Sequence, residues 1–367
     1  MTPMSVAALH AYRVANRGDG WLVDLTRQLV EEATGHRPTI YALDPTGMPD
    51  PAVQVLGPPT RIRALFSAAL ASAGARTPAR LVAGLPRPAQ LDLVVGVGGA
   101  YLRANDRRHE MVFRAHHLPQ LQLAGALGVR AIYLPVSIGP LPPRLLRLVQ
   151  RLLSNVGTVC VRDDRSAALI SDHPRVVRLP DIAACAIGAS GVVERELDPG
   201  AATVAIRELP GSSVGTRLCS ELRKAGIAVE MAIQSDAGHT NDDRAFYERQ
   251  GIQDAAPLAE ILEREPAPGV AIAGRLHAAL ACIAAGIPAI HLGYERKSWG
   301  AYDDLGLGRW LFHAWSSDPR EVSSAACDLL QDPTEYWQAL DANRSQLAAG
   351  WSELVRLVGQ AASGGRG

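Results

Sequence analysis

Hydrophobic positions along the chain follow two alternating patterns. Residues 21–32 place Leu22, Leu25 and Leu29 at the three- to four-residue spacing of a helix face, whereas residues 91–95 are a short apolar run that ends at a glycine-rich turn. Continuous apolar runs of this length are typical of buried parallel strands, and the longer period is typical of amphipathic helices. Because the two patterns alternate, they predict an α/β protein with parallel sheets.

The alternation divides into two halves. Strands are predicted over residues 38–42, 91–95, 131–135, 158–161 and 176–179, then over 202–206, 227–232, 270–273 and 289–292. The intervening helices are predicted over residues 21–32, 61–72, 113–127, 144–153 and 165–170, then over 214–225, 243–250 and 275–285. Residues 188–201 are rich in small and polar side chains and are predicted to be a linker. We therefore expect α/β domains over residues 1–190 and 200–335, with their strand ends facing a shared cleft, and a C-terminal helix within residues 336–360.

Composition excludes several classes of protein. The chain has 37 Lys and Arg against 37 Asp and Glu among 367 residues, so a basic nucleic-acid-binding surface is not expected. Hydrophobic residues make up 47% of the chain, which excludes disorder. Five widely spaced cysteines without a CxxC pair exclude a disulfide framework and a cysteine-rich zinc site. With no signal-like N-terminus and no uninterrupted apolar span, the protein is expected to be soluble and cytoplasmic.

Two glycine-containing motifs in the first half are candidate ligand contacts. Asn16-Arg17-Gly18-Asp19 precedes the first helix, where backbone N–H groups can approach a ligand; the alternative is an Asx turn with Asp19 as the N-cap. Gly96-Val97-Gly98-Gly99 follows a strand, but Tyr101 replaces the third glycine of a dinucleotide fingerprint. We therefore interpret this turn as a close approach of the backbone to a ligand or to another strand.

Charged residues follow the strands of the second half. Arg207 comes one residue after a predicted strand, where a guanidinium suits a carboxylate or phosphate, and a surface ion pair is an equal alternative. Gly274-Arg275-Leu276-His277 lies at a strand–turn–helix junction, so that unpaired N–H groups, Arg275 and His277 would all meet an anion in the first helical turn. Lys297 also follows a strand and is a candidate phosphate contact. The pair Asp242-Asp243 is interpreted as a helix start, and Arg162-Asp163-Asp164-Arg165-Ser166 as an N-cap with local ion pairs.

In order and spacing, these residues resemble the polysaccharide pyruvyl transferase family. The resemblance rests on Asn16-x-Gly18-Asp19, on the glycine turn, and on Gly274-Arg275-Leu276-His277 followed by Gly286-Ile287-Pro288, Tyr294 and Lys297. Three further segments are similar to family motifs: Pro135-Val136-Ser137-Ile138-Gly139-Pro140, Val161-Arg162-Asp163-Asp164-Arg165-Ser166 and Leu179-Pro180-Asp181. Val97 interrupts the family's glycine run, and Ile182 replaces its usual proline.

The resemblance implies a glycosyltransferase-B-like fold of two Rossmann-like domains, in which the C-terminal helix within residues 336–360 can cross back to the first domain. It also implies transfer of pyruvate from phosphoenolpyruvate to a sugar, oligosaccharide or lipid-linked glycan as a cyclic ketal, with no cofactor, metal or nucleic acid. On this view Arg207, Gly274, Arg275 and Lys297 bind the donor, and Arg275 and His277 are catalytic. The acceptor-binding residues would be Asn16, Asp19, Gly98 and Gly99. Contact with a membrane would be needed only for a lipid-linked acceptor.

Two other functions remain open on the sequence. One is a nucleotide-sugar-dependent glycosyltransferase of the same fold, for which Glu295 is the nearest candidate ribose ligand. The other is a non-catalytic, sugar-binding relative. Comparing the binding of phosphoenolpyruvate with the binding of a panel of nucleotide sugars distinguishes these three functions.

Overall fold

A computed structural model describes residues 4–13, 17–44, 53–56, 61–73, 84–235 and 242–364. The chain divides into two compact units. Unit 1 comprises Met1–Ala15, Asp19–Ile182 and Gly350–Gly367, and unit 2 comprises Asn16–Gly18 and Ala183–Ala349.

Unit 1 is built on one parallel sheet. Its strands lie in the order β3-β2-β1-β4-β6-β7-β8, and β5 pairs with β6. In chain order they are β1 (Val6–Arg13), β2 (Thr39–Asp44), β3 (Val53–Val55), β4 (Leu93–Gly96), β5 (Gly99–Leu102), β6 (Ala131–Ile138), β7 (Thr158–Val161) and β8 (Val176–Arg178). The described helices of this part of the chain are α1 (Arg17–Thr34), α2 (Arg61–Ser72), α3 (Arg107–Val112), α4 (Leu118–Leu127), α5 (Pro143–Leu153), α6 (Asp164–Leu169) and α7 (Ile182–Ser190).

Unit 2 repeats this architecture with six parallel strands in the order β11-β10-β9-β12-β13-β14. These are β9 (Leu197–Ala205), β10 (Ala228–Ile233), β11 (Ala256–Pro257), β12 (Ala267–Ala273), β13 (Ala289–Gly293) and β14 (Leu311–His313). The remaining helices are α8 (Val214–Lys224), α9 (Asp243–Arg249), α10 (Leu258–Leu262), α11 (Leu276–Ala284), α12 (Arg296–Asp304), α13 (Pro319–Gln331) and α14 (Thr334–Ser363). Within each unit the order is that of a doubly wound sheet, whose direction reverses between the first strand and the fourth. The predicted parallel α/β class is confirmed.

The sheets form where the sequence is continuously apolar. Every residue of β4, β6, β7, β12 and β13 is buried, as expected for strands covered by helices on both faces. The helix α5 instead buries one stripe, Leu145, Val149, Leu152 and Leu153, and exposes its arginines.

The predicted linker over residues 188–201 is wrong for most of its length. Helix α7 extends to Ser190 and β9 begins at Leu197, so only residues 191–196 are irregular. Gly188 lies within α7, and a Cβ there would be 2.3 Å from Leu347 Cβ, so a glycine is needed for close packing against α14. The small residues that resembled a linker therefore reflect packing.

Two other boundaries differ from the expectation. The predicted helix over residues 113–127 is two segments, a π-helical turn over Phe113–His117 and then α4. Helix α1 begins at Arg17, so Asp19 lies within its first turn and is not the N-cap. There the carboxylate interacts favourably with the positive end of the helix dipole.

Helix α14 contributes to both units, since residues up to 349 belong to unit 2 and residues from 350 to unit 1. Within unit 1, the indole N–H of Trp351 donates to Glu32 Oε2 at 3.0 Å. Trp351 and Leu354 are buried there.

Candidate functional site

The sequence motifs of unit 2 meet at the reversal point of its sheet. Strands β9 and β12 are neighbours, with Ala205 opposite Ala273 in the register. Arg207 follows β9, Gly274 follows β12, and the Gly274 N–H donates to Ala205 O at 2.8 Å. In doubly wound folds, ligands bind at this position, outside the carboxyl ends of the strands.

A cavity of about 370 Å³ opens at this point. Arg207 and Gly274 line it, together with Glu208. The start of α8 forms another part of the wall, through Ser212, Ser213, Gly215 and Thr216. The cavity therefore joins a guanidinium to the N–H end of an eleven-residue helix, which is an arrangement that binds anions.

A glycine brings this helix end to the strand. A Cβ at Gly215 would lie 2.9 Å from Ile206 Cδ1, so a larger residue would require either the Ile206 side chain or the start of α8 to shift. The N-cap residue of α8, Ser213, makes no side-chain capping hydrogen bond, and Gly215 and Thr216 of the first turn line the cavity.

Tyr294 positions the guanidinium of Arg207. Arg207 Nη1 donates to the Tyr294 hydroxyl at 3.0 Å, and its Cζ lies 5.3 Å from the centroid of the ring. The ring restricts the side chain by stacking and by the hydrogen bond, so the position of the positive charge is fixed.

Arg275 differs from the expectation because it is the N-cap residue of α11 and lies outside the first turn. Its Nη2 donates to Asp243 Oδ1 at 2.5 Å, and both side chains are almost fully buried. The other carboxylate oxygen of Asp243 accepts from the N–H groups of Gln234 and Ser235. Burial raises the pKa of Asp243, against the effect of the guanidinium. Asp243, which resembled only a helix start, thus orients a motif residue 32 positions away.

A second residue of α9 stabilises the end of β9. The Tyr247 hydroxyl accepts from the Ile206 N–H at 3.0 Å and lies 2.9 Å from the carbonyl oxygens of Ile206 and Ala232. Burial raises the pKa of Tyr247. Since Ile206 precedes Arg207, the tyrosine fixes the backbone from which the guanidinium extends.

His277 is the second residue of α11 and is half-buried. Gly18 lies against it: a Cβ at Gly18 would be 3.1 Å from His277 Cβ and 3.4 Å from His277 Nδ1. No local sequence pattern associates these two residues. Asn16 lies outside the described residues.

Lys297 lies in the first turn of α12, beside a buried histidine. Its Nζ is 2.8 Å from Glu295 Oε2. His291 lies in the middle of β13, with Nδ1 2.8 Å from Ala273 O and Nε2 2.8 Å from Ser298 Oγ. The carbonyl can only accept, so Nδ1 carries the proton, and burial lowers the pKa of His291 to about 4.

Of the four predicted donor-binding residues, Arg207 and Gly274 line the cavity, while Arg275 and Lys297 are held in carboxylate pairs outside its wall.

The glycine turn of unit 1 lies at the equivalent reversal point, between β1 and β4, where Leu9 is opposite Gly96. A Cβ at Gly96 would lie 2.6 Å from the Tyr133 ring, and one at Gly98 would lie 3.2 Å from Ile182 Cγ2 and Pro135 O. Gly99 has a φ of +145°. Packing therefore accounts for glycine at positions 96 and 98, and backbone conformation accounts for it at position 99. Ile182 occupies the space beside Gly98.

A buried polar cluster lies beneath this turn. His10 Nδ1 is 3.1 Å from His117 Nδ1, and His10 Nε2 is 2.7 Å from the Tyr133 hydroxyl. Tyr101 stacks on the His10 ring at 4.4 Å. His10 has a φ of +70°, in the left-handed region that favours glycine, where β1 departs from regular register. Burial lowers the pKa of both histidines, that of His117 to about 3.

The other family-like motifs of unit 1 meet in a buried network. Arg162 pairs with Asp181, and its Nε donates to Ser137 Oγ at 2.9 Å. Asp163 is the N-cap of α6, as predicted, and accepts from Ser166 N and Ser166 Oγ. The predicted local ion pair is wrong for Arg162, whose partner is 19 residues away. These motifs join the ends of β6, β7 and the segment after β8.

Within the described part of the chain, no group of three His, Cys, Asp or Glu residues is arranged to hold a metal ion. No helix among the described residues is long and apolar enough to cross a membrane.

Comparison with solved structures identifies the fold. The glycotransferase of kitacinnamycin is 15% identical with a TM-score of 0.52, and the alignment covers 98% of each chain. S. aureus MnaA, in a structure with UDP, is 10% identical with a TM-score of 0.53 over 96% of this chain and 95% of that one. The spinosyn rhamnosyltransferase SpnG, complexed with thymidine diphosphate, is 12% identical with a TM-score of 0.50, and the alignment covers 97% of this chain and 99% of that one. The predicted glycosyltransferase-B-like fold is confirmed, and at these identities the likeness concerns the fold alone.

Sequence comparison identifies the family. A search of curated proteins finds no significant match. The family model described as polysaccharide pyruvyl transferase matches residues 16–210, which is more than half of the chain and includes the glycine turn, the buried motif network and Arg207. The chain therefore belongs to the polysaccharide pyruvyl transferase family.

Proposed function

We propose that the protein transfers pyruvate from phosphoenolpyruvate to a sugar of a polysaccharide or glycolipid, forming a cyclic ketal and releasing phosphate. The observation that carries this proposal is the cavity of unit 2, where Arg207 and the N-terminus of α8 meet beside Gly274. Phosphoenolpyruvate has a phosphate and a carboxylate on a three-carbon skeleton, so it needs two anion-binding elements close together. A guanidinium and a helix N-terminus are two such elements.

In the reaction, C2 of phosphoenolpyruvate bonds to two sugar oxygens, C3 becomes a methyl group, and the bond from C2 to the phosphate oxygen breaks. Of the two hydroxyl protons, one ends on C3 and the other leaves with the phosphate. The chemistry therefore needs a group that takes and gives protons, and an imidazole does so near neutral pH. We assign this role to His277, which has Gly18 of the Asn-x-Gly-Asp motif in contact with it.

Arg275 and Lys297 are assigned supporting roles on the donor side. The carboxylate of Asp243 neutralises and orients Arg275, and that of Glu295 does the same for Lys297. Asn16, Asp19, Gly98 and Gly99 are assigned to the acceptor side. Their support is that the two motifs follow β1 and β4, the neighbouring strands at the reversal point of the unit 1 sheet.

A nucleotide-sugar glycosyltransferase is the second candidate. It is favoured by the two structural neighbours with bound UDP and thymidine diphosphate. A diphosphate would also suit a helix N-terminus. The two candidates differ in the donor they require.

Titration calorimetry of the purified chain distinguishes them. Phosphoenolpyruvate should bind without an acceptor, whereas UDP, thymidine diphosphate and a panel of nucleotide sugars should not. Substitution Arg207→Ala should weaken phosphoenolpyruvate binding about tenfold or more, because it removes a charge-assisted hydrogen bond. Arg309→Ala is the matched control, since Arg309 is an exposed arginine of unit 2 paired with Glu335.

Equal affinity of wild type and Arg207→Ala for phosphoenolpyruvate would remove Arg207 from the donor site. Binding of a nucleotide sugar, with none of phosphoenolpyruvate, would overturn the proposed donor. Binding of neither donor, with retained binding of glycans, would leave the non-catalytic relative as the function.

A further inference from the structure

Two tryptophans of unit 2 are unusually exposed. Trp299 of α12 is 37% exposed and Trp315, just after β14, is 42% exposed, whereas Trp310 and Trp351 are buried. His313 lies between them: its ring centroid is 5.8 Å from that of Trp299 and 5.6 Å from that of Trp315. We call Trp299, His313 and Trp315 the aromatic strip. Adjacent exposed aromatic rings are characteristic of a binding surface.

The rings of the strip are held in fixed orientations. The Trp315 indole N–H donates to Pro210 O at 3.2 Å, and Tyr294 packs edge-on against the same ring. A Cβ at Gly293 would lie 3.4 Å from Trp299 Cη2, so the Trp299 ring packs over a glycine of β13. Little conformational entropy is therefore lost when a ligand stacks on these rings.

The strip is continuous with the wall of the cavity. Pro210, which accepts the hydrogen bond of Trp315, lines the cavity, and so does Ala314, the residue between His313 and Trp315. Ser212 Oγ donates to Ala314 O at 2.5 Å, which joins the start of α8 to the strip. Tyr294 contacts both Trp315 and Arg207.

The chemistry of the strip combines flat apolar faces with a polar edge. His313 Nδ1 accepts from the Trp315 backbone N–H at 3.4 Å, so Nε2 carries the ring proton and can donate. A pyranose ring has the complementary character, because its C–H groups form an apolar face and its hydroxyls lie around the edge. Two indoles separated by one imidazole span a few sugar rings, which is far smaller than a stable protein–protein interface.

We propose that the aromatic strip is a glycan subsite, on which Trp299 and Trp315 stack pyranose rings and His313 donates a hydrogen bond to a hydroxyl. The proposal rests on the proposed function, because it takes this glycan to be the acceptor. The aromatic strip would bind sugar rings of the acceptor other than the ring that reacts. The length and composition of the glycan bound would then depend on unit 2.

Fluorine NMR of the full chain labelled with 5-fluorotryptophan tests this directly. The chain has six tryptophans, and each signal is assigned by a Trp→Phe substitution. Tetrasaccharides of glucose, galactose, mannose and N-acetylglucosamine are titrated at millimolar concentration. At least one should shift the signals of Trp299 and Trp315, while those of the buried Trp310 and Trp351 stay in place. Trp299→Ala should weaken that binding about fivefold to tenfold, and Trp337→Phe should not.

Two results with the tetrasaccharides would overturn the proposal: no shift of any signal, or equal shifts of all six signals. It would also be overturned if the Trp299 and Trp315 signals did not respond to a tetrasaccharide but shifted on addition of anionic vesicles or with increasing protein concentration. Calorimetry with phosphoenolpyruvate on the same samples separates this test from that of the proposed function. Shifts without binding of phosphoenolpyruvate would remove the proposed reaction and leave the subsite. Binding of phosphoenolpyruvate without shifts would remove the subsite alone.

Discussion

At the scale of single residues, the charged side chains of unit 2 differ in their position relative to the cavity. Arg207 lines the cavity and donates to the Tyr294 hydroxyl, whereas Arg275 and Lys297, each paired with a carboxylate, lie outside the cavity wall. A paired guanidinium has much of its charge neutralised before a ligand arrives, and removing it would leave the buried Asp243 without its counter-charge. Loss of binding after Arg275→Ala would therefore combine an effect on folding with an effect on recognition. Because Arg207 lines the cavity itself, it is the sharper test of donor binding.

His277 carries the prediction for catalysis. His277→Ala should keep most of the affinity for phosphoenolpyruvate but lower turnover by about 10²- to 10⁴-fold, the usual contribution of a general acid–base group. His277→Gln should remain slow, because an amide retains hydrogen bonding but does not exchange protons near pH 7. The measurements are phosphate release with acceptor present, calorimetry with phosphoenolpyruvate, and the melting temperature of both variants.

A purely structural histidine would behave differently. His277→Ala would then lower the melting temperature, and His277→Gln would recover most of the activity. A fast and stable glutamine variant would remove His277 from the mechanism.

At the scale of elements, α9 organises the ends of two strands. Asp243 and Tyr247 are four residues apart and therefore share one face of this short helix. From that face, Asp243 binds Arg275 after β12, and Tyr247 binds the backbone of Ile206 at the end of β9. One helix thus sets the relative positions of both motifs at the cavity.

Tyr247→Phe tests this role of α9. The substitution removes the acceptor of the Ile206 N–H and should lower the free energy of unfolding by about 1–3 kcal/mol. Because Arg207 follows Ile206, affinity for phosphoenolpyruvate should also fall several-fold. Urea denaturation and calorimetry give the two quantities.

Tyr302→Phe is the matched control for that prediction. The Tyr302 hydroxyl is buried in the same unit and donates to Ala289 O at 3.0 Å, at the opposite end of β13 from the cavity. Both variants should lose stability, but only Tyr247→Phe should lose affinity. Equal affinities of the two variants would show that α9 supports the fold and not the site.

The sequence predicted the elements far better than their contacts. Strands such as β7 were predicted to the residue, because a buried parallel strand is a continuous apolar run bounded by turn residues. Helix α7 was missed, since Gly188 serves packing against Leu347, far away in the sequence. The ion pair of Arg275 with Asp243 and the contact of Gly18 with His277 also join distant segments, and no local pattern encodes them.

At the scale of the whole molecule, three buried histidines make stability depend on pH. Burial lowers the pKa values of His10, His117 and His291 below the ordinary value of 6.5. The folded chain therefore binds fewer protons than the unfolded chain once the pH falls below about 6.5, and stability is lost as the pH decreases. Each group contributes about 1.4 kcal/mol per pH unit in this window.

We therefore expect the free energy of unfolding to fall by about 4 kcal/mol between pH 7.5 and 5.5, measured by urea denaturation. The carboxyl groups with lowered pKa values, such as Asp106 and Glu353, titrate below this range. His291→Gln should reduce the dependence, because it removes one of the groups whose pKa is lowered by burial. A flat profile would show that these histidines are protonated in the folded chain.

The division of helix α14 between the units has a consequence for synthesis on the ribosome. Unit 1 contains residues near the start of the chain together with residues 350–367, so the site against which Trp351 packs is made long before Trp351 itself. During synthesis, unit 1 therefore lacks the contacts of Trp351 and Leu354 until all of unit 2 has been translated. All of unit 2, residues 16–18 and 183–349, has been translated before residue 350 is reached. Unit 2 can therefore complete its fold before unit 1, although most of it is translated later.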